Sequence, residues 1–152
     1  MAEQMPGELI YQYDLQVTGI TTYGAPALDA LVSGAAGIPP QGARYDLALE
    51  GPIVGQRLRG TVKGIDYIHI RPDGRAQLHI HAEITTEDGK KIAFYADGVV
   101  NFREGSLFGD LRENVTLTTS EPDYAWVNPL QVWALGTVDV ATGAVHIAGH
   151  AV

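Results

Sequence analysis

The chain contains no cysteine, and its 152 residues carry only 10 lysines and arginines against 18 aspartates and glutamates. The first absence excludes a disulfide framework and any thiolate metal site. The second leaves a formal net charge of −8, the wrong sign for clustered contact with a phosphate backbone or an anionic membrane surface. Neither nucleic acid nor membrane is therefore expected as a partner. No run approaches the roughly 20 apolar residues of a membrane span. The start, MAEQMPGEL, lacks a basic segment followed by an apolar stretch, so a soluble, cytoplasmic protein is expected. Also missing are a helical pattern longer than two turns, an internal repeat, a phosphate-cradling loop, a dinucleotide glycine pattern and a Ser-His-Asp order.

What is present is dense strand signal. From Gly60 to Val100 three alternating runs are joined by Arg71-Pro72-Asp73-Gly74 and Thr86-Glu87-Asp88-Gly89, turn sequences that suit consecutive hairpins. Strands are also expected at Glu8–Val17, Arg44–Leu49, Gly55–Val62, Asn114–Ser120, Pro129–Val140 and Ala144–Val152, with the meander supplying Ile65–Arg71, Ala76–Thr86 and Lys91–Asn101. Between the first two lies Thr21–Gln41, rich in Ala, Gly and Pro, where only Pro26–Val32 suits a helical turn. A loop this long suits a lid over a cavity. The expected fold is all-β: one domain spanning 1–152, an antiparallel meander closing into a small barrel, with a long loop or short helix after the first strand. Closure removes the exposed edges such a meander would otherwise present.

Several short blocks in order, Leu58-Arg59-Gly60-Thr61-Val62 with Gly64 and Asp66-Tyr67, then Arg71-Pro72-Asp73-Gly74, then Leu78 through Gly89, and Tyr124-Ala125-Trp126-Val127-Asn128, resemble the family known as domain of unknown function 3237. That resemblance implies a small antiparallel β-barrel that self-associates, and it favours a functional part for Arg71. The chain departs from the family pattern where His79 and His81 stand in place of an Asp and an Arg.

Three groups of residues are candidates for chemistry. His79, His81 and Glu83 alternate with Leu78, Ile80 and Ala82, so all three share one strand face. Imidazoles titrate near neutrality, and Asp66 or Glu83 can orient one, which makes Asp66, His79 and His81 candidates for acid–base work. The same His-x-His could instead seize a metal in the manner of a cupin barrel, given a third histidine such as His146 or His150. Alternatively the histidines face solvent or a neighbouring subunit while the apolar face packs. Tyr67, Arg71, Tyr95, Tyr124, Trp126 and Asn128 are candidate substrate-binding groups, with Arg71 and Asn128 as polar anchors and the rings as walls. For the aromatic corner, a purely structural plug is the competing reading.

These features lead to three functional expectations. The first is a lyase, isomerase or cyclase that uses no cofactor and acts on a small apolar or aromatic molecule in the barrel. The second is a barrel that binds such a molecule without converting it, and the third is a cupin-like metal-dependent enzyme. Apolar strand faces such as Val132, Ala134 and Gly136 add an expectation of homo-oligomers.

Overall fold

The computed structural model describes residues 7–152. Eight antiparallel strands pair in chain order: β1 (Glu8–Thr22), β2 (Ala43–Val54), β3 (Gly60–Ile70), β4 (Ala76–Thr86), β5 (Lys91–Phe102), β6 (Phe108–Thr118), β7 (Val132–Asp139) and β8 (Ala144–Ala151). Strand β8 returns to β1, and the sheet closes as a barrel. Among the described residues the only helical pieces are α1 (Leu28–Val32) and a 3-10 turn, Pro122–Val127.

The alternation in sequence becomes inside and outside. On β4, Leu78, Ile80 and Ile84 are buried while His79, His81 and Glu83 are exposed. On β6 the inward series is Leu111, Glu113, Val115 and Leu117. Eight strands enclose a lumen just wide enough for side chains to fill. Here the filling is uneven. Tyr11 stacks on Tyr13 at 5.8 Å between centroids, and Phe94 meets both edge-on at 6.3 Å. These rings fill the part of the lumen nearer the 3-10 turn, and aliphatic side chains line the part nearer α1.

Helix α1 sits over that second end. It inserts Leu28 and Leu31, both buried, and the Tyr45 hydroxyl donates to the Pro26 carbonyl oxygen at 2.6 Å, fixing its approach. The opposite end is covered by the 3-10 turn with buried Val127, and by Trp126, over which the Arg57 guanidinium lies at 3.8 Å.

Some strand limits differ from those expected. Strand β2 continues through Gly51-Pro52 to Val54, because Pro52, which has no N–H, lies where β2 has no registered partner on β1. Strand β3 is one run from Gly60 to Ile70 rather than two, since Gly64 is an inward strand position rather than a break. Strand β6 begins at Phe108, six residues before Asn114. The apolar face of β7 is also corrected: Val132 and Ala134 are buried, and Gly136 follows them inward against β8. The outward phase of that strand is Trp133, Leu135 and Thr137.

A Cβ at Gly64 would stand 2.4 Å from the Cβ of Ala82 and 2.4 Å from the His81 carbonyl oxygen, so β3 and β4 could not keep their register around it. Gly64→Val is expected to cost at least about 2 kcal/mol by overpacking. A urea unfolding midpoint unchanged from the native protein would contradict this packing.

Candidate functional site

Two carboxyl groups point into the aliphatic end of the lumen. Asp66 comes from β3 and is 6 % exposed; Glu113 comes from β6 and is 5 % exposed. Each sits on the apolar phase of its strand, between Gly64 and Ile68 in one case and between Leu111 and Val115 in the other. Together with Tyr13 they border a cavity of about 40 Å³ whose other walls are aliphatic, apart from Phe102, and which Leu28 of α1 roofs.

The hydrogen bonding is sparse. The Tyr13 hydroxyl donates to Glu113 Oε1 at 3.2 Å, and the backbone N–H of His79 donates to Asp66 Oδ1 at 3.2 Å. That amide lies where the β3–β4 register is interrupted, between Asp66↔Ile80 and His69↔Gln77. Beyond Tyr13, the buried hydroxyl of Tyr11 has no partner.

Burial without a cation makes ionisation costly. Desolvation pushes Asp66 up to about 7, partly offset by the His79 amide. Desolvation and then the charge of Asp66 push Glu113 up to about 8, against the opposing hydrogen bond from Tyr13. Burial, followed by the nearby Glu113, holds both Tyr11 and Tyr13 neutral far above the ordinary tyrosine range. Near neutrality the pair thus shares one easily released proton and one held more tightly. An acid and a base can coexist in this apolar space.

Of the acid–base candidates His79, His81 and Asp66, only Asp66 is inside. The placement of His79 and His81 is corrected: the period-2 facing that buries Leu78 and Ile80 turns both imidazoles out. His81 lies between Tyr67 and Tyr95 on the outer wall, at ring distances of 6.0 and 5.3 Å, so these two tyrosines do not wall the cavity either. The metal reading loses its third ligand by topology. His146 and His150 belong to β8, on the far side of the barrel from β4, and among the described residues no group of three or more ligating side chains gathers. Arg71 pairs with Asp73 in the exposed hairpin turn at 2.6 Å.

The Tyr124–Asn128 corner is at the other end of the barrel from the carboxyl pair, not beside it. Asn128 acts on loop backbone: its Oδ1 accepts from the Thr119 N–H at 2.8 Å and its Nδ2 donates to the Thr119 carbonyl at 2.9 Å. The Tyr124 hydroxyl donates to Asp88 of the β4–β5 turn at 2.7 Å. Glu113 and Tyr13 were not among the sequence candidates.

A larger concavity, about 710 Å³, lies on the outer wall of β2–β5 and includes Glu50, Lys63, Tyr67, His81 and Glu83. Its charged groups are solvated, and Glu83 is already paired with Lys91 at 3.1 Å. Exposed charges of this kind are screened by solvent, whereas the lumen holds two buried carboxyls whose pKa values desolvation raises. The lumen is the candidate site.

Fold and site define a class: a closed eight-stranded antiparallel barrel with a carboxyl pair in an otherwise apolar lumen. The chain belongs to the family described as "Protein of unknown function (DUF3237)", whose sequence model matches residues 32–152. A protein of unknown function from Clostridium acetobutylicum superposes with a TM-score of 0.78 at 19 % identity, covering 97 % of this chain and 99 % of that one. A β-barrel-like protein from Acinetobacter baumannii gives 0.72 at 17 % identity over 99 % of both chains. An enzyme from Penicillium herquei gives 0.59 at 19 % identity, over 99 % of this chain and 98 % of that one. At these identities the likeness is one of fold. No curated protein matches the chain significantly. No helix among the described residues is long and apolar enough to cross a membrane.

The carboxyl pair fixes a pH dependence. In the unfolded chain both groups lose their protons near pH 4, whereas in the folded protein they keep them to about 7 and 8. The folded state therefore binds more protons over this interval, and stability falls as pH rises from about 5 to 8, by up to about 1.4 kcal/mol per pH unit for each group. Thermal melts across that range should show the decline, and Asp66→Asn with Glu113→Gln should flatten it. A double variant with the native slope would refute the assignment. At the other end, Asn128→Ala should cost about 1–3 kcal/mol by orphaning the Thr119 backbone while leaving this pH slope in place. Both are read from the same melts.

Proposed function

We propose that the protein is a cofactor-independent lyase, isomerase or cyclase that acts by acid–base catalysis on a small apolar or aromatic molecule inside the barrel. One observation carries this reading: two carboxyls, raised to about 7 and about 8, share a lumen in which no cation among the described residues neutralises them. A fold gains no stability from such a pair, and perturbed titratable groups in a cavity are a mark of functional sites. Asp66, the more acidic member and the one that accepts a backbone N–H, is the base. Glu113, oriented by the Tyr13 hydroxyl, is the acid.

In the proposed cycle the Asp66 carboxylate takes a proton from a carbon or hydroxyl of the substrate, and Glu113 gives its proton to the atom where negative charge collects. The bond changes stay within the substrate. Afterwards Asp66 is protonated and Glu113 ionised, and transfer between them or exchange with water restores the pair. The apolar walls favour a substrate with a hydrocarbon body and one or two oxygens, and exclude anions. The Penicillium herquei enzyme, which shares the fold, is in keeping with catalysis on this scaffold.

Unsaturated and hydroxylated aromatic compounds are the first candidates for a turnover screen. With any substrate so found, Asp66→Asn and Glu113→Gln should each lower kcat/KM by about 10²–10⁴, whereas His81→Ala should leave it within about twofold. The pH profile should be bell-shaped, with limbs near the two raised values. Full turnover by both carboxamide variants would reject the assignment. A barrel that only binds would show carboxamide effects on affinity with no turnover to lose.

A further inference from the structure

The cavity beside Asp66 and Glu113 has a volume of about 40 Å³. That is room for water, not for an organic molecule, whose pockets start at roughly 300 Å³. Two clefts flank α1. One, of about 290 Å³, lies between the β1–β2 hairpin and the β7–β8 turn; the other, of about 270 Å³, lies beside Leu31 and the end of β5.

The two clefts are not equivalent. The first shares Leu28, Leu47, Val138 and Val140 with the cavity, so these side chains stand between the two. The second shares only Val100 and Phe102. The barrel wall also opens on the first side. Pairing of β1 with β8 ends at Gln16↔Ala144, whereas β1 stays paired with β2 as far as Thr22. Above that point the seam is held by the Val17 N–H donating to the Gly143 carbonyl at 2.8 Å and the Gln16 amide donating to the Thr142 carbonyl at 2.5 Å. On the second side the β4–β5 and β5–β6 ladders run to their ends, at Ala76↔Val100 and Phe102↔Gly109.

Leu28 is the one member of the partition not held in or beside a strand. It is carried on a five-residue helix with no side-chain N-cap hydrogen bond, tied to the barrel by the Tyr45 hydroxyl at Pro26, and the connector has positive-φ glycines at Gly24 and Gly34, where a Cβ would meet nothing within 4 Å. The other three residues are fixed in strands or beside one. Among the described residues no charged side chain lines the cleft.

We infer that the lumen is reached through the cleft between the β1–β2 hairpin and the β7–β8 turn, with Leu28 as the gate that admits small uncharged molecules and sets their size. This rests on the lumen being the site, and its test reads access rather than chemistry. The neutral dye N-phenyl-1-naphthylamine, which brightens in apolar surroundings, is mixed with the protein and its association followed by stopped flow. Leu28→Ala should raise the association rate at least tenfold, and Leu28→Val should raise it less, with smaller loss of packing. Adding Ala141→Trp, on the exposed rim of the cleft, should return the rate to the native value or below, while Asn101→Trp on the other side should leave the increase intact. Unchanged association in both Leu28 variants, or a block by Asn101→Trp in place of Ala141→Trp, would overturn the route. If the route holds while Asp66→Asn and Glu113→Gln leave turnover untouched, the chemistry fails and the gate stands.

Discussion

The pairing of β8 back onto β1 is the contact on which the rest depends. An open sheet of these eight strands would have a hydrated inner face, and Asp66 and Glu113 would titrate as ordinary carboxyls. Closure along Glu8↔Ala151 to Gln16↔Ala144 makes the inner face a lumen. Desolvation then acts on whatever polar groups the inward phase carries. The perturbation of the carboxyls is a property of topology before it is a property of any local partner, since among the described residues one amide and one hydroxyl are directed at them.

Closure also forces a division of space. Three rings crowd the lumen toward the 3-10 turn, and they fit because neighbouring inward positions are small. A Cβ at Gly149 would stand 2.4 Å from the Tyr11 ring, and Ala96 and Ala134 are likewise buried without bulk. Toward α1 the inward residues are leucines, isoleucines and valines, which leave a small void once Leu28 is seated. Tyr13 lies on the boundary, with its ring in the packed half and its hydroxyl on Glu113. It ties the packed rings to the Glu113 carboxyl.

The fold was legible because alternation and turn residues are local signals. The Asp73-Gly74 and Asp88-Gly89 hairpins form as the sequence reads, with Gly74 and Gly89 both at positive φ. Asp66 was named from the sequence as a partner able to orient a histidine, whereas in the fold it faces the lumen and the imidazoles do not. Glu113 was not: reading the sixth strand from Asn114 left it in a loop, where a glutamate is unremarkable, whereas extending the alternation back through Leu111 puts it inside. Alternation along the first strand puts Tyr13 on one face with Tyr11 and Leu15, but nothing local shows that its hydroxyl meets a residue 100 positions away. His79 and His81 drew notice by residue type, yet facing decides chemistry: the imidazoles share a strand with the lumen wall and point away from it.

The seating of α1 and the protonation of the two carboxyls are bound together by linkage. What holds the two carboxyls protonated to about 7 and about 8 is the exclusion of water by the walls and by α1. Any opening that hydrates the lumen stabilises the ionised forms, and so lowers both values toward those of free carboxyls. Closure raises them again, because it removes water and supplies no compensating charge. Near neutral pH, opening therefore releases protons and closure takes them up. By the same linkage, mildly acidic conditions favour the closed, protonated barrel and alkaline conditions favour hydration. This coupling needs no additional residue, since it follows from placing two carboxyls and no cation in a closed apolar lumen.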